Sequence, residues 1–307
     1  VIARESDGSE GVLRYKEGFS EEVLAKGGDF VEASNTQNYK LLYELLKDEK
    51  DKAGNITWVL GPAVVFDFDT RNGLSRLAEN GYVQALLGGN AMATHDLEGG
   101  YLNTALGQDI YTQKSEPLGH YNHLDTLNAI RKIGSINEFI EQGNVRDGFI
   151  KTLNRLEVPI TLAGSIRDDG PLPEVTGDVY KSLDNVRVET DKSNLIICLA
   201  TTLHSASTAE TASSYRIDEN GNVVPVFIFT VDVTENAVRK VSAARENIAV
   251  RTLVTNVQDF VVNLEKELVP EEYLSYDQEH VYEVSKESEK SYSEDKSSAK
   301  KASSEEE

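Results

Sequence analysis

The chain has 307 residues, 39% hydrophobic and 27% charged, and its 31 Lys plus Arg stand against 52 Asp plus Glu for a formal charge of −21. That balance repels nucleic acid and anionic membrane surfaces, and no apolar run approaches the length of a membrane span. A single cysteine, Cys198, excludes a disulfide framework and a cysteine-based zinc site. A soluble globular protein is expected, with one main domain and appended pieces. The chain starts at Val1, which points to a fragment or a processed product, and with no targeting segment readable a cytoplasmic location is expected.

Residues 1–35 hold short apolar pieces among glycines, too little for a core, and read as the remnant of a smaller preceding domain. Residues 36–269 form the main domain. Tyr39, Leu41, Leu42, Leu45 and Leu46 recur at helical spacing and predict an amphipathic helix over 38–52. Strands are predicted at Ile56–Leu60, Val83–Leu87, Val158–Ala163, Leu195–Ala200, Val226–Val231 and Ile248–Val254. Helices are predicted at Leu74–Leu77, Ala91–Leu106, Leu124–Ile133, Ile136–Gln142, Phe149–Leu156, Asp178–Val188, Glu235–Ala243 and Gln258–Leu268. Strands apolar on both faces and separated by helices mean a mostly parallel sheet covered on both sides. With right-handed crossovers this is an α/β, doubly wound, Rossmann-like fold. Residues 270–307 are serine-rich and strongly acidic, without apolar periodicity after Tyr282, and are expected to be a disordered tail.

In such sheets ligands sit at the carboxyl ends of strands. The run Val158–Ala163 empties at Gly164 into a loop holding Arg167, Asp168 and Asp169, kept out of helix by Gly170, Pro171 and Pro173. The loop is either functional or a solvated turn with an internal Arg–Asp pair. Gly88-Gly89-Asn90-Ala91 is either a pyrophosphate cradle at a helix N-terminus or a tight turn; it is not the G-x-G-x-x-G fingerprint. Asp232 suits a ribose contact or a helix cap, a role Thr234 would also fill. His204, directly after Thr201-Thr202, could bond a cofactor or exchange protons. His120-x-x-His123 and His95-Asp96 match a ligand set poorly, and no metal site is expected.

Gly61-Pro62-Ala63-Val64-Val65, Gly81–Ala91, His95-Asp96, the stretch Ala163–Pro173 (AGSIRDDGPLP) and Ala200–Ser205 together resemble the archaeal-type ornithine cyclodeaminases, the LOR/SDH conserved-region family. That family also forms the C-terminal part of the cyanobacterial arginine dihydrolase/ornithine cyclodeaminase. The resemblance runs from about Gly28 to Val262. It implies a deoxyhypusine-synthase-like NAD-binding fold, tightly held NAD, and conversion of L-ornithine to L-proline with loss of ammonia. Carried over by position, the NAD contacts are Asn90, Ala91, Asp169, Thr201, Thr202, Leu203, His204, Asp232, Asn256 and Val257. The chain departs from the family pattern at Asn256, where Asp is expected, at Asn122, where a second histidine is expected, and at Val233-Thr234, where Ile-Asn is expected. The chemistry needs a carboxylate binder and a proton-managing group, for which Arg167 and Asp168 are the candidates. An amino-acid substrate and a homo-oligomer are expected. The alternatives are a catalytically silent NAD-binding or scaffold protein and an ordinary NAD-dependent amino-acid dehydrogenase.

Overall fold

Buried at all five positions, Ile56–Leu60 forms an inner strand of a six-stranded parallel sheet, in keeping with its mostly apolar sequence, and the hydroxyl of its one polar residue, Thr57, bonds that of Ser193 at 2.6 Å. The computed structural model describes residues 27–165, 170–217, 221–244 and 249–271. In chain order the elements begin with α1 (Gly27–Asp51), β1 (Ile56–Leu60), α2 (Phe68–Glu79), β2 (Ala85–Gly89) and α3 (Asn90–Leu102). A small insertion follows: the hairpin β3 (Thr104–Ala105) and β4 (Gln108–Asp109), then α4 (Asn122–Ile133), α5 (Ile136–Glu141) and α6 (Phe149–Arg155). Next come β5 (Ile160–Ala163), α7 (Val179–Thr190), β6 (Leu195–Leu199) and α8 (Thr202–Thr211). A second hairpin, β7 (Tyr215–Ile217) and β8 (Val223–Pro225), precedes β9 (Phe227–Asp232), α9 (Glu235–Ala244), β10 (Val250–Val254) and α10 (Val257–Leu268).

The sheet order is β10-β9-β6-β1-β2-β5. Counting only the sheet strands in chain order, this is the 3-2-1-4-5-6 arrangement of doubly wound folds, with the reversal between β1 and β6. Register sets which face each side chain serves. Trp58, Leu60, Ile197, Leu199, Phe229 and Val231 point to the larger core, under α1, α2, α3 and α10. Val59, Ile196, Cys198 and Ile228 point the other way, to a smaller core shared with Ala209 and Val241 of α8 and α9. The indole of Trp58, fully buried, donates to the Tyr82 carbonyl at 2.8 Å, so its one polar atom is satisfied inside the core.

Several elements differ from expectation. The helix α1 starts at Gly27 and is continuous across residues 35 and 36, and its Leu42 and Leu46 are fully buried in the main core. The helix α3 stops at Leu102, because Asn103 adopts the left-handed conformation (φ 62°) in which its amide bonds back to Gly99. Neither α8 nor the β7–β8 hairpin was expected. Residues 1–26 and the expected tail from 272 onward lie outside the described residues. Among the described residues no helix is long and apolar enough to cross a membrane.

Candidate functional site

The strand order reverses between β1 and β6, and there the backbone is unusually close. Gly61 donates its amide to the Leu199 carbonyl at 2.8 Å, and a Cβ on Gly61 would collide with the Ala200 carbonyl. Ala200 itself sits at φ 51°, a left-handed conformation that costs a non-glycine residue about 1–2 kcal/mol. The chain thereby turns sharply from β6 into α8. On the far side of β1, Gly89 leads straight into α3, and a Cβ on Gly89 would lie 2.6 Å from Cε1 of His204, so the imidazole lies across the glycine turn.

Both helices that start here, α3 after Gly89 and α8 after Thr201, have no side-chain cap. Asp67 caps α2, Asp178 caps α7 and Asn256 caps α10, whereas the N-cap residues of α4 and α6, like those of α3 and α8, give no side-chain cap. An uncapped helix start presents free amides and the positive end of the helix dipole, which suits a phosphate. A cavity of about 640 Å³ opens beside the start of α8, lined by Gly88 of β2, Ala163 at the end of β5, Gly164 and Ser165 after it, and Leu203 and His204 of α8, with α7 as its outer wall. Its volume lies within the range of about 300–1,000 Å³ usual for small-molecule sites. A hollow of about 700 Å³ flanks β5 between α5 and α6, but it lacks the glycine turn after β2 and the start of α8, so the cavity beside Gly88 and His204 is the better ligand site.

The described residues among those assigned to NAD by resemblance lie along one edge of the sheet. Asn90 is buried at the first position of α3; its side chain accepts from the Leu172 amide at 2.8 Å and donates to the Gly170 carbonyl at 3.2 Å, tying the glycine turn to the loop after β5. Ala91 follows it. Thr201, Thr202, Leu203 and His204 form the start of α8, with Leu203 65% exposed. Asp232 ends β9, and its carboxylate accepts from the amide and hydroxyl of Thr234 at 3.1 and 3.2 Å. Thr234 in turn accepts from the Ala237 amide at 3.4 Å, so Thr234, not Asp232, caps α9. Asn256 accepts from the Gln258 amide at 2.8 Å, and Val257 is buried. The ends of β9 and β10 are joined where Thr255 donates to the Asp232 carbonyl. From β2 to β10 is four strand spacings, on the order of 19 Å, a span that only an extended ligand covers. Arg167, Asp168 and Asp169 lie outside the described residues.

Other candidate side chains separate into distinct roles. Asp96 is fully buried against Arg71, whose Nε donates to it at 2.8 Å and whose Nη1 reaches Asp147 at 2.8 Å. Asp96 also accepts from the amides of Phe149 and Ile150, closing the start of α6. It is an anchor between α2, α3 and α6. His95, its neighbour in sequence, instead pairs through Nδ1 with Glu98 at 2.8 Å, and its ring lies 4.6 Å from that of His123. His120 is exposed and stacks on Tyr121, apart from His123's cluster. Sequence reading missed the grouping of His95, Glu98 and His123, whose only local signal is the H-x-x-E spacing on one helix. Burial pushes the Cys198 thiol up to about 12, which leaves it protonated and unreactive near neutral pH.

Residues 40–264 match a family model described as arginine dihydrolase ArgZ-like, C-terminal, Rossmann fold. The chain is 38% identical over 234 residues to an ornithine cyclodeaminase of Methanocaldococcus jannaschii, a match covering 75% of this chain and 52% of that protein. Among solved structures it superposes on a conserved putative LOR/SDH protein from Methanococcus maripaludis with a TM-score of 0.70 at 32% identity, covering 78% of this chain and 70% of that one. It also superposes on AgrE in ternary complex with ornithine and NAD+, with a TM-score of 0.67 at 32% identity, covering 77% of this chain and 33% of that one. The chain thus spans about half the length of the archaeal relative it matches.

Proposed function

The chain belongs to the archaeal-type ornithine cyclodeaminase family, and from that premise we propose that it converts L-ornithine to L-proline and ammonia with a held NAD recycled in each turnover. The observation that carries this reading is a coincidence at one edge of the sheet: the helices that follow β2 and β6 directly both start without a side-chain cap, at Asn90-Ala91 and Thr202–His204, positions that the resemblance gives to the cofactor.

In the net reaction the side-chain nitrogen bonds to the α-carbon and the α-amino nitrogen leaves as ammonia, with no net change in oxidation level. When bound, NAD would supply a temporary acceptor for the electron pair of the α-carbon–hydrogen bond. The amides at the starts of α3 and α8 would hold its pyrophosphate, and Asp232 would accept from ribose hydroxyls. Asp169, Asn256 and Val257 would complete the cofactor contacts. Arg167 would pair with the substrate carboxylate, and Asp168 would accept and return protons at the two nitrogens. The apolar lining of the crevice would keep water from the cyclising substrate.

The test is incubation of the purified chain with NAD and ornithine, following proline, ammonia and the absorbance of NADH. Proline and ammonia in equal amounts without accumulating NADH is the expected result. Accumulating NADH would instead indicate the dehydrogenase reading. A silent NAD-binding protein is the second reading, motivated by the departures from the family pattern at Asn122, Val233-Thr234 and Asn256. Protein saturated with NAD that forms neither product would overturn the cyclodeaminase reading in favour of that one.

A further inference from the structure

His95 and Glu98 stand one turn apart on α3, the spacing at which two helical side chains share a face, and the start of α4 sets His123 against both. A ligand atom from each of the three lies within 4.8 Å of the others. We propose that His95, Glu98 and His123 bind one divalent transition-metal ion of the zinc class.

The donor chemistry supports this. Two imidazoles and one carboxylate are a recurrent three-ligand set for zinc, leaving a fourth position open, and borderline metals favour imidazole nitrogen. A helix carrying His and Glu at positions three apart is also a way in which helical proteins present metal ligands. Tetrahedral coordination at about 2.0–2.2 Å puts donor atoms about 3.4 Å apart, so small side-chain rotations would close the present cluster around an ion.

The surroundings point the same way. Glu98 is 0% exposed, and among the described residues no lysine or arginine pairs with its carboxylate. A carboxylate at that depth calls for a cation or strong hydrogen bonds. Its second oxygen accepts from the Thr104 hydroxyl at 2.7 Å, and Thr104 accepts from the Asn122 amide at 2.9 Å, a chain of contacts that fixes the carboxylate's direction. Phe66 packs edge-on against the His95 ring at 5.4 Å between centroids and holds it in place. Metal sites depend on such outer contacts to orient their ligands. His123, less buried than the other two, leaves a way in from solvent.

The full chain, stripped with a chelator and freed of it, is titrated with Co2+ and then Zn2+. One Co2+ per chain, with the intense visible absorption of a four- or five-coordinate nitrogen-ligated ion that Zn2+ abolishes, is the expected result. His123→Gln should weaken Co2+ binding at least about tenfold, the lower end of what loss of even an outer partner costs a metal site. Its melting temperature without metal should match the parent's. Glu98→Gln is the second variant and should likewise lose the band, while His120→Gln, on the exposed neighbour, should keep it. The proposal is overturned if the chain gives no such band, if only the weak absorption of an oxygen-ligated ion on the acidic surface appears, or if the band survives both His123→Gln and Glu98→Gln. None of these readouts depends on ornithine or NAD.

Discussion

Asp96 and His95 are adjacent in sequence and face unrelated surroundings, because neighbouring positions on a helix point about 100° apart. Pairing His95 with Asp96, or His120 with His123, from their order in the chain therefore groups the wrong side chains; His95 meets Glu98 a turn later, and Asp96 meets Arg71 from another helix. Replacing Arg71 by Met leaves the buried Asp96 carboxylate without its cation and should cost about 3–5 kcal/mol, read as a lower urea midpoint with an unchanged slope. At the sheet edge, Asp232 and Thr234 can be told apart in the same way. Thr234→Ala removes the cap of α9 and should cost about 1 kcal/mol with NAD affinity unchanged. Asp232→Ala should leave the melting temperature without NAD nearly unmoved and weaken NAD binding measured by calorimetry. The opposite pattern would mean that Asp232 has been given the wrong role.

Elements with strong patterns were legible. The run Ile56–Leu60 is buried at every position, and its mostly apolar sequence announced a strand with the right bounds. The helix α8 was missed because TLHSASTAET is built of small and hydroxyl side chains with no apolar stripe; tertiary packing of Thr208 and Ala209, rather than periodicity, makes it helical. The β7–β8 hairpin was missed because its strands, YRI and VVP, are three residues each and mostly exposed, too short to show alternation. The start of α1 was expected at residue 38 because apolar content before it is sparse; the helix begins at Gly27 and docks by Leu42, Leu46 and the Tyr39–Phe260 ring contact. Leu46→Ala should therefore destabilise the main domain by about 2–5 kcal/mol, as for any deeply buried leucine. A loss under about 0.5 kcal/mol would mean that α1 folds apart from the sheet.

For the molecule as a whole, the doubly wound class could be read from alternating strands and helices, but the strand order could not. Nothing local in Leu195–Leu199 says that it returns to the opposite side of β1; that follows from the joint burial of both faces, which only the register reveals. The order matters because it sets the starts of α3 and α8 side by side, and of the residues assigned to the cofactor Leu203 and His204 line the cavity beside them. Arg167, Asp168 and Asp169 of the loop after β5, legible as candidates, lie outside the described residues. Ligand linkage gives the molecule-scale expectation: NAD at a hundredfold excess over its dissociation constant should stabilise the fold by about 2.7 kcal/mol. For a domain of this size that is a rise of about 5–11 °C in melting temperature. No rise at any NAD concentration would remove the cofactor from the account.

The outer wall of the crevice, α7, is held far less firmly than its other sides. Only Glu189 and Thr190 in its last turn are buried, while Val179, at 69% exposed, and Tyr180, at 81%, stand in solvent. Few buried contacts mean a low free energy of local opening, so amide hydrogens of α7 should exchange with deuterium well before those of α3, whose helix is buried along most of its length. A ligand seated in the crevice would touch the inner side of α7 and slow that exchange, whereas α3, already protected, would change little. The wall would thus report occupancy by its own rate of opening, and equal protection of α7 and α3 without ligand would show instead that the crevice is a rigid box.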